Sequence, residues 1–210
     1  MNKLKTLALA TCLSFVASVA SAEVRMGVSV HAMMLDSTGS ETLRTSGNVT
    51  STSIDETAIV PSLFIETLNS NGLGVGIDYV PVAELGSKSS SNKVDAETNG
   101  ENKASAELAS HATLYVIAQH ENGIFVKAGM AFADVETTES LSTGDTYGDA
   151  TTEGLMAGIG MSRDLDNGMF VRGELSYVDY DDISITSTGG SKVKADVDST
   201  NVTFSIGKSF

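Results

Sequence analysis

The sequence predicts an all-β chain: an eight-stranded antiparallel up-and-down transmembrane β-barrel. Three observations carry that prediction. In the final stretch, Val202, Phe204, Ile206 and Phe210 fall on one face, and Thr203, Ser205, Gly207 and Ser209 on the other. A strand alternates its side chains between two faces, so one face here is apolar and the other small and polar, as in a wall between lipid and a polar lumen. Second, three Asn-Gly steps, Asn71-Gly72, Asn122-Gly123 and Asn167-Gly168, each stand between alternating segments and directly before Leu73, Ile124 or Met169. Asn and Gly tolerate the positive φ of tight hairpins, so each step is read as a short turn. Third, the segments between these hairpins, 36–56, 84–105, 137–152 and 181–198, are long and rich in Ser, Thr, Gly, Asn and acid. Short turns at one end and long loops at the other are the asymmetry of a barrel that crosses a membrane.

The elements follow in order. The strands are read at 24–34, 57–67, 73–82, 106–119, 124–135, 153–163, 169–180 and 199–210. Most meet or exceed the ~9–11 residues that a tilted membrane strand needs. The first turns Val24, Met26, Val28 and Val30 outward, and the second Ile59, Leu63 and Ile65. Pro61 shares that parity, and its missing N–H predicts a local irregularity in the ladder. Leu73, Val75, Ile77 and Tyr79 represent the third strand, and Leu108, Leu114 and Val116 the fourth. Ile124, Val126, Met130 and Phe132 represent the fifth. Leu155, Ile159 and Met161 follow on the sixth, and Val171, Leu175 and Tyr177 on the seventh. Lys208 has outward parity near a strand end, where its long stem can snorkel.

The start of the chain has the pattern of an exported protein. Lys3 and Lys5 precede an apolar stretch from Leu7 to Val19 and a small-residue site, Ala20-Ser21-Ala22. Residues 1–22 are read as a signal peptide and 23–210 as the barrel domain. The single cysteine, Cys12, lies in the leader, so the mature chain is expected to hold no disulfide and no thiolate metal site. Loss of the leader's two lysines takes the formal charge from −14 to −16. Nucleic acid is excluded as a partner, because phosphate contact needs clustered Lys and Arg. No apolar run after residue 22 approaches the ~18 residues of a membrane helix. Phosphate-cradling glycine motifs and zinc-ligand spacings are absent, so no cofactor and no zinc site is expected.

With signal peptide, strand count, loop asymmetry and terminal Phe210 together, residues 23–210 resemble the small eight-stranded outer-membrane barrels. That group includes the transmembrane domain of outer-membrane protein A, outer-membrane protein X and the opacity-type adhesins. The resemblance is one of pattern. It implies the outer membrane of a Gram-negative bacterium, with lipid and lipopolysaccharide as surroundings. It also implies that the insertion machinery reads the C-terminal strand, with Phe210 as the assembly signal.

The inward face mixes small residues with charge. Arg25, Glu66, Asp78, Glu107, Lys127, Arg172 and Glu174 all have inward parity. Lys127 and Arg172 each follow their turn glycine by four residues, at similar depth, with Glu66 and Asp78 at comparable distances from the first turn. Opposite charges at one level in a closed tube should pair, since an unpaired charge away from bulk water is expensive. The candidate site is this lumen network of Arg25, Glu66, Asp78, Lys127, Arg172 and Glu174. It reads either as a plug of ion pairs or as the lining of a narrow ion path. His31 and His111 also have inward parity and are expected to be held by neighbouring hydroxyls or carboxylates. Ser110 beside His111 points to the other face, so the two form no nucleophile–base pair, and no catalytic residue is assigned. The acids Asp179, Asp181, Asp182, Asp196 and Asp198 read as a solvated charge run or as oxygen ligands for Ca²⁺.

The expected role is therefore not enzymatic. It is a structural, surface-presenting barrel with four long outward loops, for which the resemblance suggests adhesion, envelope integrity or resistance to external attack. The alternative is a narrow porin-like channel for ions or small polar solutes. The C-terminal reading has a direct check. Deletion of Phe210 should reduce the heat-modifiable, membrane-assembled form on gels, whereas Val202→Ile should leave assembly unchanged.

Overall fold

Alternation along each strand gives a sheet one apolar face, and a sheet of eight such strands hides its other face by curling until the first strand meets the last. The computed structural model describes residues 22–44, 46–92, 100–141 and 144–210. Residues 1–21, with Cys12 and all of the expected leader but Ala22, lie outside the described residues, as do 45, 93–99 and 142–143 of the polar segments.

Ten strands are formed: β1 Glu23–Thr42, β2 Val49–Leu68, β3 Leu73–Val80, β4 Ala83–Asn92, β5 Gly100–Gln119, β6 Ile124–Ser140, β7 Ala150–Asp164, β8 Met169–Tyr180, β9 Ile183–Thr186 and β10 Lys192–Ser209. The ring runs β1-β2-β3-β5-β6-β7-β8-β10 and closes by pairing β10 with β1. Every pairing is antiparallel, and the closing ladder extends from Arg25↔Ser209 to Thr42↔Lys192. β4 continues the line of β3 along β5, and β9 continues that of β8 along β10. The wall thus has eight positions, and ten strands fill them.

All three Asn-Gly steps are turns, each with its own chemistry. Asn69 Oδ1 accepts from the N–H groups of Asn71 and Leu73 at 2.9 and 3.0 Å. Gly72 then takes φ +76° so close to β5 that a Cβ would meet the Gln119 carbonyl oxygen at 1.9 Å. At the second turn Asn122 Oδ1 accepts from Ile124 N at 3.1 Å, and Gly123 alone has positive φ. Only in the third do both residues turn left-handed, Asn167 and Gly168 each at φ 72°.

Three of the four long polar segments differ from the loops expected of them. Most residues of 36–56, 84–105 and 181–198 are strand, whereas 137–152 is mostly the connection between β6 and β7. β1 and β2 stay paired beyond the apolar band, through Asp36↔Asp55 to Thr42↔Val49. β5 and β6 stay paired out to Lys103↔Ser140. Thr is β-branched and suits a pleated sheet, and backbone bonds form whatever the side chain's polarity, so Ser is carried along with it. Polar residues on both faces mark a hairpin with water on both sides, not an absence of ladder.

The outer face of the ring is apolar over the span of a membrane. Ile59 is 71% exposed and Phe204 70%. Two residues break the expected parity. The β5–β6 register shifts between Leu108 and Ser110, a bulge that adds one residue to β5. Beyond it Leu108 faces inward and is buried, and Glu107 is exposed outside the tube. Glu107 therefore does not belong to the lumen.

Pro61 leaves the β1–β2 ladder continuous, paired with Val30. The irregularity is on its other side, where β2 pairs with β3 only from Leu68↔Gly74 to Leu63↔Tyr79.

Inside, glycine and aromatic residues interlock. A Cβ on Gly76 would lie 2.6 Å from Tyr115 Cζ and 2.7 Å from Glu66 Cβ. Gly76→Ala should therefore destabilise the barrel by roughly 1–3 kcal/mol through overpacking. Gly173→Ala, whose Cβ would meet nothing nearer than Phe204 Cε1 at 4.0 Å, should change stability by less than about 0.5 kcal/mol. Urea unfolding of the purified barrel in detergent measures both.

Candidate functional site

Three levels fill the turn-side half of the lumen. At the turn end, Arg25 on β1 reaches across the tube. Its Nη1 donates to Gln119 Oε1 at 3.3 Å, its Nε to Glu23 Oε1 at 3.4 Å, and its Nη2 lies 3.8 Å from Asp164 Oδ1. Its guanidinium also stands 5.1 Å from the centre of the Phe170 ring.

The second level holds the tightest pair. Arg172 on β8 grips Glu66 on β2 with both amino groups, Nη1 to Oε2 at 3.0 Å and Nη2 to Oε1 at 2.5 Å. The side chains are 1% and 0% exposed. Tyr115 Oη donates to the same carboxylate at 2.8 Å. The guanidinium lies 4.9–5.7 Å from the rings of Phe125, Phe170 and Phe64. This planar fork can serve a carboxylate along its edge while aromatic faces stack on its plane. Beside it Lys127 Nζ on β6 donates to Glu174 Oε2 at 2.7 Å and stands 4.3 Å over the Tyr115 ring.

The third level is built from imidazole, hydroxyl and one acid. His31 Nε2 lies 2.7 Å from Ser62 Oγ and 3.5 Å from Asp78 Oδ1. Ser62 Oγ donates to Asp78 Oδ2 at 3.0 Å. That leaves its lone pair for an Nε2–H, while His31 Nδ1 lies 2.8 Å from Thr203 Oγ1. Ser62, Asp78 and the Nε2 side of the imidazole thus form a triangle, and Thr203 takes the other ring nitrogen. A cavity of about 50 Å³ adjoins this level. That is room for roughly three to five waters at the ~10–15 Å³ each requires. Arg172 Nε, His111 Nδ1 and Asn201 Oδ1, buried without a partner in the protein, belong to residues that line it.

The lumen residues thus divide. Arg172 and Glu66 come together, as do Lys127 and Glu174. Asp78 serves His31 and Ser62, and Arg25 stands apart at the turn end. The His31–Ser62–Asp78–Thr203 group is absent from the sequence reading as a unit. Inward parity marks all four members, but only the register brings Thr203 opposite His31 and sets Ser62 one diagonal step from Asp78. The acids read from the outer segments also find places. Asp179, Asp198, Asp36 and Asp55 fall in one cross-strand row over β8, β10, β1 and β2. Among the described residues no group of three or more His, Cys, Asp or Glu is placed to hold a metal ion.

At the far end the β6–β7 connection leans over the mouth. Tyr147 Oη donates to Glu41 on β1 at 2.7 Å, and its N–H to Glu139. Thr146 and Thr188 exchange two further bonds, tying this connection to that between β9 and β10. Burial, then the bond to Glu41, push the Tyr147 phenol well above the usual tyrosine range, so it stays a donor.

A closed antiparallel ring with an apolar exterior and short turns at one end has structural counterparts. The fold is that of an outer-membrane β-barrel. The outer-membrane protein OprG of Pseudomonas aeruginosa matches over 90% of this chain and 96% of its own, at 13% identity and a TM-score of 0.62. The outer-membrane protein AlkL, solved by solid-state NMR in lipid bilayers, matches over 90% of each chain at 12% identity and a TM-score of 0.51. No protein-family model matches the chain, and no curated protein does.

In such a barrel the Arg172–Glu66 pair should matter more than any surface charge. Removing one partner of a fully buried pair costs about 3–5 kcal/mol, less where cavity water reaches the orphan. Arg172→Ala should lower the urea midpoint of the folded barrel clearly, and Lys208→Ala, on the lipid side beside Phe210, should leave it nearly unmoved.

Proposed function

We propose that this protein is a closed barrel of the outer membrane whose role is structural and surface-presenting. One observation carries the reading: the fully buried Arg172–Glu66 pair sits in a collar of Phe64, Phe125, Phe170 and Tyr115 across the lumen. An ion crossing that level would have to break a bidentate bond and shed its own water among aromatic rings. The connection that leans over the mouth favours the same reading. The polar hairpins then stand outside as stiff ladders, a presenting surface that gives its side chains fixed positions. In this reading the surroundings are lipid and lipopolysaccharide, and Phe210 and its strand are what the insertion machinery recognises.

A second reading, a narrow channel for ions or small polar solutes, is favoured by the charged cavity of about 50 Å³ beside the plug. Planar-bilayer recording separates the two. The native protein should show no steady conductance, and Arg172→Ala should open discrete current steps. Steady native conductance, with Arg172→Ala changing only ion selectivity, would replace the closed barrel by the channel.

A further inference from the structure

We propose that the lumen binds a soft monovalent metal ion, Cu⁺, between the thioethers of Met33 and Met156 and the imidazole of His111. The site adds to the closed-barrel reading and does not rest on it.

Three strands bring these side chains to one space. Met33 on β1, His111 on β5 and Met156 on β7 all line the cavity of about 50 Å³. In the ring order those strands stand three, two and three wall positions apart, so the side chains enter from around the axis and not from one side. They are buried, at 5%, 7% and 8% exposure. Met33 pairs across strands with Asn201, His111 with Val80 and Met156 with Val178, and each of these partners lines the same cavity.

An independent sign of a ligand is His111 Nδ1, which is buried without a partner in the protein. Its other ring nitrogen is held, with Tyr180 Oη 3.0 Å from Nε2. Ligation takes the tautomer in which Nε2–H donates to Tyr180 and Nδ1 keeps its lone pair, the way metal-bound imidazoles are usually fixed. Asn201 Oδ1, a second orphan, adds an oxygen on the strand next to Met33.

The donor set selects the metal. Among the described residues no three His, Cys, Asp or Glu converge, so a hard or divalent ion finds no cage. Thioether sulfur is soft and uncharged, and together with imidazole it suits Cu⁺. Met has three rotatable side-chain bonds, so both sulfurs can swing onto an ion while the strands stay in place. Charge agrees. Arg172 pairs with Glu66 and Lys127 with Glu174, whereas Asp78, in the same lining, has no Lys or Arg partner among the described residues. That surplus acid favours a cation over an anion.

Ag⁺, of the same charge and softness and stable in air, is the first probe. The folded chain, free of any histidine tag and isotope-labelled at its methionine methyl groups, is titrated in detergent and followed by NMR. The Met33 and Met156 methyl signals should shift together, and that of Met130, buried but outside the cavity, should stay. Zn²⁺ should move neither. Cu⁺, held reduced by ascorbate, should then pass to the protein from a colorimetric Cu⁺ chelator. Met33→Leu with Met156→Leu keeps the packing volume and removes both sulfurs. It should abolish that transfer while the barrel remains heat-modifiable. Tyr180→Phe, which frees the imidazole, should weaken Cu⁺ affinity ~10–100-fold. Should the double variant fail to fold, the methyl titration of the native chain decides alone. Met33 and Met156 signals that stay in place under excess Ag⁺, Cu⁺ uptake unchanged by the two leucines, or equal binding of Zn²⁺ overturns the proposal.

Discussion

In hydrocarbon a backbone N–H or C=O has no water to turn to, so each must find its partner within the protein. Everything else in this barrel depends on that constraint. A flat sheet would leave two bare edges in lipid, and the β1–β10 ladder removes them. Closure in turn decides the side chains. Once the ring is shut, one parity meets lipid and the other a lumen only a few side chains wide. Glycines such as Gly76 then become necessary, because the Tyr115 ring occupies the space that a Cβ would take.

The lumen solves a second problem under the same rule. Charges that point inward leave bulk water without entering lipid, and they are stable only if each finds an opposite charge or a set of donors. Arg172 does so by pairing its edge with Glu66 and its faces with three phenylalanines. Lys127, with a point charge and no plane, takes Glu174 and the face of Tyr115 instead. Further from the turns apolar side chains such as Val60, Val80 and Met156 share the lumen with bonded polar pairs, His111 with Tyr180 and Asn201 with Ser199. The lumen is thus cross-linked by ion pairs at one end and packed around side-chain hydrogen bonds at the other, while the outer face stays apolar along both.

Much of this was legible along the chain, because the signals are local. Alternation of period two named the faces, Asn-Gly steps named the turns, and the even strand count implied closure. Local signals also misled where they rest on composition. Ser- and Thr-rich stretches such as 36–56 read as loops, yet their backbones remain paired, because ladder formation is indifferent to polarity once the strands below are aligned. One bulged residue near Ala109 was enough to turn Leu108 in and Glu107 out, since parity carries no memory across an insertion.

What the sequence determined by itself was the side of the wall each residue faces, because that depends only on counting along one strand. Which residue it meets there was decided by the tertiary structure. The stagger of the ring sets Glu66 against Arg172 from strands far apart in sequence and brings Ser62 beside Asp78 and His31. These meetings depend on the register of several strands at once, and that register becomes definite only when the last strand pairs with the first.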